Sequence, residues 1–354
     1  IRYMVLGSSF MQLTVKAVLA VLLLAMGFHL IGYIWAVVVS VLCTVVWMST
    51  GLWRKLSALP MSSDMDCSES KKAWRAYSTV MYSSSLVGLG AGYLDRFLLG
   101  LFAGASPVGV LMVVKQLQQM PVIFLQMFLA VAAPMFSAAH ARGDVQERQH
   151  IYHLTTDWVV RLSAPLFIFF SLFAEPLLNL YGNGFAQQGI HAMWILLSAQ
   201  AINLGYGPLG SVLNMSGMEG LMLRLTIYKT AIMVLGLLFF LPSMGLVGVA
   251  LAISAGLVFM NVAAFHAARK ILGLRWTDRR YLRWIAPLAA SITTGILVLY
   301  FGPYSPGAMM LLGYLVLLYA VFHGVSIAQG LHEDDRELLG HLLAKLGLVK
   351  RVAT

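Results

Sequence analysis

Five basic side chains interrupt segments that are otherwise apolar: Lys16, Arg96, Lys115, Arg161 and Lys229. If these segments cross a bilayer, each cation costs at least roughly 2.5–3.5 kcal/mol in hydrocarbon, so it must face a bundle interior or a water-filled cavity. Lysine and arginine are the natural partners of phosphate and pyrophosphate groups. The five residues therefore predict a cationic lumen that binds an anion.

Polar residues accompany these cations at helical spacing, which predicts single polar stripes on apolar helices. The candidate lumen or pairing residues are Gln12, Asp95, Gln119, Gln126, Asp157, Gln200 and Asn203. Amide side chains of this kind could hydrogen-bond the hydroxyl groups of a sugar.

Two of the cations have an acidic neighbour in the sequence. Asp157 precedes Arg161 by four residues, the favourable order for an ion pair within a helix, and Asp95 adjoins Arg96. The three lysines have no such neighbour, which favours their exposure to a substrate. A cation exporter would need several acidic residues in the lumen, and few are available.

The composition places these residues in a membrane. Of the 354 residues, 60% are hydrophobic and 11% charged, with a mean hydropathy of +0.81, whereas soluble domains average about 25% charged. This excludes a soluble enzyme, a disordered protein and a disulfide-stapled secreted module. The two cysteines, Cys43 and Cys67, have no metal-ligand spacing, and no metal or cofactor is predicted.

Ten segments are long and apolar enough to span a bilayer: 4–26, 31–53, 77–99, 107–136, 152–175, 188–214, 221–241, 244–267, 282–301 and 307–329. The loops show no strand-like alternation, so the predicted fold is an all-α, polytopic transmembrane helix bundle. Four prolines are expected to kink or end helices: Pro121, Pro134, Pro165 and Pro208. The glycines at 88, 90 and 92 are expected to permit close helix packing.

All other basic residues fall in loops on one side of these spans, and the opposite loops hold none. By the positive-inside rule, both termini are expected in the cytoplasm. The net charge of +10 then reflects membrane topology, and no nucleic acid partner is expected. Segment 54–76 is polar and predicts a cytoplasmic linker between the second and third spans.

The order of motifs from the third span onward resembles the polysaccharide transporter family. The motifs are Tyr93-Leu94-Asp95-Arg96-Phe97-Leu98-Leu99-Gly100, Pro107-Val108-Gly109-Val110, Ala133-Pro134-Met135-Phe136-Ser137, Gly143-Asp144, Leu178-Asn179-Leu180-Tyr181-Gly182 and Asn214-Met215-Ser216-Gly217. This family comprises the Wzx-type flippases of O-antigen and other lipid-linked oligosaccharides. It belongs to the multidrug/oligosaccharidyl-lipid/polysaccharide exporter superfamily.

The resemblance implies the last ten helices of a fourteen-helix, two-lobe flippase, without the first four. Residues 1–53 would end the N-terminal lobe, 77–270 would form the C-terminal six-helix lobe, 271–330 two additional spans and 331–354 a cytoplasmic tail. It also implies a polyprenyl-pyrophosphate-linked oligosaccharide as substrate in the bacterial inner membrane, alternating access and other polysaccharide assembly proteins as partners.

Three alternatives stay open at this point. A multidrug or cation antiporter of the same superfamily would need Asp157 to be titratable and outside an ion pair. A membrane glycosyltransferase or polymerase would need a large outer loop for chemistry, and every predicted outer loop is short, so no enzyme is expected. An assembly subunit of an export complex would copurify with partners.

Overall fold

The structure, a computed structural model, describes residues 12–57, 68–303 and 306–330. Every regular element in these ranges is helical, which confirms the all-α prediction. The chain divides into two compact units, Ile1–Lys72 and Ala73–Thr354. The division falls within segment 54–76.

The first unit contains two helices that pack against each other, α1 (Gln12–Ala25) and α2 (His29–Ser57). The turn between them depends on Gly27, whose φ of 83° is a conformation that glycine adopts without steric cost. Next to the turn, a Cβ added at Gly32 would lie 2.9 Å from Cβ of Leu23, so the two helices approach closely at this point.

The remaining helices are α3 (Ser68–Ala103), α4 (Ala105–Gln119), α5 (Val122–Ala141), α6 (Val145–Leu172), α7 (Ala174–Asn179), α8 (Phe185–Gly205), α9 (Leu209–Met215), α10 (Glu219–Leu272), a 3-10 helix (Arg279–Trp284), α11 (Ile285–Phe301) and α12 (Ala308–Ala328). Helix α8 packs against α4, α6, α7 and α10 and lies at the centre of the second unit. The apolar core of the second unit includes Leu111, Phe169, Leu197, Leu237 and Val249, all buried.

Prolines break two of the predicted spans. Segment 107–136 forms two helices, α4 and α5, with the break at Pro121. Segment 188–214 likewise ends as α8 at Gly205 and resumes as α9 after Pro208. Pro134 lies inside α5 and does not end it. The missing N–H of proline removes a helical hydrogen bond, and whether the helix ends there depends on its neighbours.

Six helical segments in the described ranges are long and apolar enough to cross a membrane, against the ten predicted. One of them is α10, where Gly245 has non-helical backbone angles (φ 52°, ψ −124°) and separates two halves. Helix α10 therefore covers two predicted spans, 221–241 and 244–267. Helices α6 and α8 are absent from the six because polar side chains lower their hydropathy.

The two halves of α10 pack through small residues. A Cβ added at Gly236 would lie 3.0 Å from Cβ of Ala252, and one at Gly256 would lie 2.9 Å from the carbonyl oxygen of Lys229. Small residues let helix backbones approach closely, as is common between membrane helices. This packing fixes the position of Lys229 relative to the second half of the helix.

Candidate functional site

A cavity of about 220 Å³ lies between α3, α4, α8 and α10, and we call it the lysine cavity. Its polar lining consists of Asp95, Lys115, Gln118, Gln119, Gln200, Thr226, Lys229 and Thr230. The apolar part of the wall comes mainly from α8 and α10, at Leu196, Met233, Ile253 and Leu257. Two cations, one carboxylate and three amides therefore face one space.

Asp95 and Lys115 form the ion pair of this cavity. The Nζ atom of Lys115 lies 2.5 Å from Oδ2 of Asp95, while Oδ1 accepts the backbone N–H of Arg96 at 2.8 Å. The Asp95 side chain is 1% exposed and that of Lys115 is 20% exposed. Asp95 thus pairs with the side chain of Lys115 and contacts the backbone of the adjacent Arg96. Lys115 has no acidic neighbour in the sequence and finds its partner on another helix. The pair joins two helices across twenty residues, so local spacing could not reveal it.

Lys229 is the second cation of the lysine cavity, and it is a half-buried residue of α10. Lys229 and Lys115 line the same cavity, where two like charges repel each other. Within the described ranges, no carboxylate lies at ion-pair distance from Lys229. Because Asp95 compensates only one of the two lysines, the lysine cavity has a net positive charge.

A strip of small residues on α3 forms the side of the cavity next to Asp95. Gly88, Ala91 and Gly92 all line the cavity. A Cβ added at Gly88, Gly90 or Gly92 would meet no described atom within 4 Å. Within the described residues of the second unit, the expected close packing at these glycines is therefore wrong. At 88 and 92, the missing side chains instead leave space in the cavity.

The amides predicted from the sequence divide into two groups. Gln119 and Gln200 line the lysine cavity, together with the buried Gln118. Gln126 is exposed and Asn203 is half-buried, and neither belongs to the cavity lining. The break at Pro121 places Gln126 on α5. Gln126 therefore does not continue the polar stripe that Lys115 and Gln119 form on α4.

Thr226 and Thr230 were missed as lining residues. They flank Lys229 on α10, and each hydroxyl donates to the carbonyl oxygen four residues earlier. Their oxygens can also accept a hydrogen bond, since a hydroxyl has two lone pairs. The sequence did contain a signal for them: the two threonines are one helical turn apart, on the face of the helix that carries Lys229.

Arg96 does not line the lysine cavity, although one lumen was predicted for all five cations. It lines a separate, open cavity beside Phe97 and Leu101. Its guanidinium carbon lies 5.6 Å from the ring centre of Tyr93. Consecutive residues of a helix point about 100° apart, so Asp95 and Arg96 face different surroundings.

Gln12 and Lys16 belong to the first unit. Both lie on α1, one turn apart, and both are half-buried. Their assignment to a lumen remains a prediction.

Asp157 and Arg161 lie in a second, smaller site of about 20 Å³, which we call the arginine pocket. Its lining residues are Asp157, Arg161, Arg280, Arg283, Trp284, Ser326, Gln329 and Gly330. The Nη1 atom of Arg161 donates to Oδ2 of Asp157 at 3.2 Å, and Nε1 of Trp284 donates to Oδ1 at 2.8 Å. The structure thus separates Arg161 from the two lysines with which it was grouped.

The loop after α10 is held against α6 by polar contacts. Nδ1 of His153 lies 2.8 Å from Oδ2 of Asp278, and the side chain of Gln149 exchanges two hydrogen bonds with the backbone of Arg275. Burial disfavours the ionised form of Asp278. The hydrogen bonds and charge of Arg280, together with His153, outweigh this effect and lower the pKa of Asp278 below its ordinary value.

The fold and the family follow from comparison with known proteins. Among solved structures, a chain titled "Crystal structure of MATE in complex with MaL6" is 20% identical, with a TM-score of 0.58 over 77% of this chain. The present chain spans 62% of the length of that structure. This similarity defines the class by its fold, a polytopic bundle of helices.

A family model described as "Polysaccharide biosynthesis protein" matches residues 7–187, more than half of the chain. The chain therefore belongs to this family, and the resemblance seen in the sequence is confirmed. The search of curated proteins found no significant match. The family relation supports a role in polysaccharide biosynthesis, and the structural similarity shows the fold.

Proposed function

We propose that the protein flips a lipid-linked, undecaprenyl-pyrophosphate oligosaccharide across the bacterial inner membrane for O-antigen, capsule or exopolysaccharide biosynthesis. The family supports a role in polysaccharide biosynthesis, and the helical fold supports transport. The observation that carries the choice of substrate is the net positive lysine cavity lined by three glutamines.

The chemistry of the cavity matches a pyrophosphate attached to a sugar. Lysine is a point-charge donor suited to phosphate oxygens. Asp95 holds Lys115 in place, and Lys229 offers a second ammonium group to the same space. Carboxamides beside them, at Gln118 and Gln200, can donate to and accept from sugar hydroxyls.

The volume of the cavity bears on the transport cycle. At about 220 Å³ it is smaller than the roughly 300–1,000 Å³ of pockets that enclose drug-sized ligands. It can hold a pyrophosphate group but not a whole oligosaccharide. In our proposal, alternating access widens it during the cycle, as rocking of one bundle against another does in other transporters.

Orientation and partners complete the proposal. With both termini in the cytoplasm, the basic loops lie on the side where the lipid-linked sugar is assembled. The polyprenyl chain stays in the bilayer while the head group passes through the lumen. Other polysaccharide assembly proteins would then use the product on the far side.

A flipping assay with Lys229→Gln tests the proposal. The protein is reconstituted into proteoliposomes with fluorescent undecaprenyl-pyrophosphate oligosaccharide, and an impermeant quencher reports the label in the outer leaflet. Losing a hydrogen bond to a charged group costs about 1.5–3 kcal/mol, so we expect the rate to fall at least about tenfold. Arg224→Gln is the matched control, because Arg224 is exposed on the same helix outside the cavity.

Equal rates for wild type and Lys229→Gln, at equal incorporation, would overturn the role of the cavity. An equal loss in Lys229→Gln and Arg224→Gln would show a general effect of charge and would also count against it. No flipping by wild type under any imposed ion gradient would overturn the proposed function.

A multidrug or cation antiporter is the second candidate: Asp95 is the carboxylate in the lining of the lysine cavity, and it would have to exchange its pairing with Lys115 for a proton or a cationic substrate. The residue first considered for this role, Asp157, already accepts hydrogen bonds from Arg161 and Trp284. Proton-driven drug export that is lost in Asp95→Asn, without flipping of the glycolipid, would favour the antiporter.

A further inference from the structure

Asp95 is an acidic residue in a cavity that otherwise has the chemistry of an anion site. It lines the lysine cavity, and its side chain is 1% exposed. A carboxylate in the same space as a phosphate group repels it, and this repulsion is stronger away from bulk water than in it. The lining of the cavity therefore includes a group that weakens the binding of an anion.

Lys115 can contact both Asp95 and a ligand. Its Nζ atom lies 2.5 Å from Oδ2 of Asp95, and its side chain remains 20% exposed. An ammonium group has three N–H donors, so Lys115 can also donate to a phosphate oxygen in the cavity. The carboxylate next to the ammonium group then offsets the charge that Lys115 offers to the phosphate.

The second oxygen of Asp95 keeps the carboxylate in the cavity wall. Oδ1 accepts the backbone N–H of Arg96 at 2.8 Å, and this hydrogen bond does not depend on Lys115. A phosphate that attracts Lys115 would therefore leave the negative charge of Asp95 in place. Phosphate and carboxylate then compete for the same ammonium group, which lowers the affinity of the cavity for phosphate.

Lys229 differs from Lys115 in this respect. It lines the same cavity, and no carboxylate of the described residues lies at ion-pair distance from it. Two positive charges and one negative charge in the lining leave a surplus of one positive charge. Neutralising Asp95 would double that surplus, and neutralising the whole pair would leave it unchanged.

We propose that Asp95 lowers the affinity of the lysine cavity for pyrophosphate, by competing with the head group for Lys115, and thereby speeds release of the substrate. This role rests on the proposed flippase function. A site on a transport path must bind strongly enough to admit its substrate and weakly enough to release it. Asp95 acts through Lys115 and is a positioning residue.

Titration calorimetry with inorganic pyrophosphate, on the full chain in neutral detergent at low ionic strength, tests this role. We expect Asp95→Asn to bind pyrophosphate at least about tenfold more tightly than wild type, because the surplus charge doubles. The amide can still accept the N–H of Arg96. A purely structural role of Asp95 predicts weaker binding instead. The control Glu175→Gln removes an exposed carboxylate outside the cavity lining and should change the affinity less than about twofold.

A double variant keeps the test independent of how well Asp95→Asn folds. Asp95→Asn/Lys115→Met removes both members of the pair and leaves Lys229, so the surplus charge equals that of wild type. We expect its affinity for pyrophosphate to stay within about threefold of wild type. If Asp95 only held Lys115 in place as a ligand, the double variant would bind at least about tenfold more weakly, because a charged donor is lost.

Flipping kinetics measure the consequence for release. In proteoliposomes with fluorescent undecaprenyl-pyrophosphate oligosaccharide, we expect Asp95→Asn to lower KM and kcat together, each at least about fivefold, because tighter binding slows release of the head group. A lower kcat with an unchanged or higher KM would indicate a structural defect and would contradict the role in release.

The outcomes separate this inference from the proposed function. Equal or weaker pyrophosphate binding by Asp95→Asn, together with a tenfold loss in the double variant, would overturn the role of Asp95 while flipping by wild type stands. No binding of pyrophosphate by wild type would overturn the inference and the choice of the lysine cavity as the head-group site. No flipping by wild type, with the expected order of pyrophosphate affinities, would overturn the proposed function and support the electrostatic effect of Asp95.

Discussion

The lysine cavity and the arginine pocket each combine basic side chains with one lining carboxylate, and they differ in how that carboxylate is held. In the cavity, Asp95 pairs with a lysine on another helix, beside about 220 Å³ of space lined by amides. In the pocket, Asp157 is held by an arginine one turn away and by a distant indole, beside about 20 Å³.

This difference teaches that a cation within an apolar span does not by itself define a lumen. A carboxylate on the same helix face can hold a guanidinium at the wall of the bundle, as in the Asp157–Arg161 pair. A pair that joins two helices, such as Asp95–Lys115, instead fixes a wall of the cavity, where Lys229 has no carboxylate at ion-pair distance among the described residues. Each of the following predictions tests one side of this comparison.

The largest effect on stability is expected for Asp95→Ala. Removing one partner of a buried ion pair leaves an uncompensated charge and costs about 3–5 kcal/mol. Because the Lys115 side chain is 20% exposed, we expect a loss at the lower end, near 3 kcal/mol, in the free energy of unfolding. Chemical unfolding in detergent measures it.

The control for this variant is Glu147→Ala, which breaks the exposed pair between Glu147 and Arg142 and should change stability little. The double variant Asp95→Asn/Lys115→Met should recover most of the loss, because it removes both charges. Equal stability of Asp95→Ala and wild type would contradict the account of the cavity wall.

A smaller loss is expected for Gly256→Ala. The added Cβ would lie 2.9 Å from the carbonyl oxygen of Lys229, and overpacking of this kind costs about 1–3 kcal/mol. Gly220→Ala in the same helix is the matched control, because its Cβ would meet no described atom within 4 Å. Unfolding of both variants at the wild-type temperature would contradict the claim that close packing of the two halves of α10 fixes the wall of the lysine cavity.

The smallest effect is expected in the arginine pocket, for Trp284→Phe. The substitution removes the hydrogen bond to Asp157 and keeps the aromatic ring, at a cost of about 1 kcal/mol. Trp74→Phe, at an exposed indole, should leave the unfolding temperature unchanged. A loss in Trp284→Phe as large as that in Asp95→Ala would erase the distinction between the two sites.

Much of the fold could be predicted from local sequence. Apolar runs gave the helices, and the missing N–H of Pro121 and Pro208 marked the places where two spans break. The i, i+4 spacing of Asp157 and Arg161 indicated an ion pair, which the structure contains. These features depend on neighbours within one or two helical turns.

What could not be predicted depends on which helices meet. Lys115 finds Asp95 across twenty residues, and Trp284 reaches Asp157 across 127 residues. Gly88 and Gly92 have the composition of a packing motif, yet they face open space. The period of the hydrophobic pattern and the residue composition indicate which face of a helix carries polar or small side chains. They do not indicate which residues of other helices lie opposite that face.

The most direct test of the account is flipping by Gly92→Leu compared with Gly90→Leu. At either glycine an added Cβ would meet no described atom within 4 Å, so both variants are expected to fold. Of these two glycines, Gly92 lines the lysine cavity, whereas Gly90 lies on another face of α3. A leucine at position 92 would fill space that the head group needs.

In the proteoliposome assay, we predict that Gly92→Leu lowers the flipping rate at least about tenfold, the factor for about 1.4 kcal/mol of lost binding. Gly90→Leu should stay within about twofold of wild type at equal incorporation. Wild-type rates in both variants would contradict the claim that the substrate head group passes through the lysine cavity.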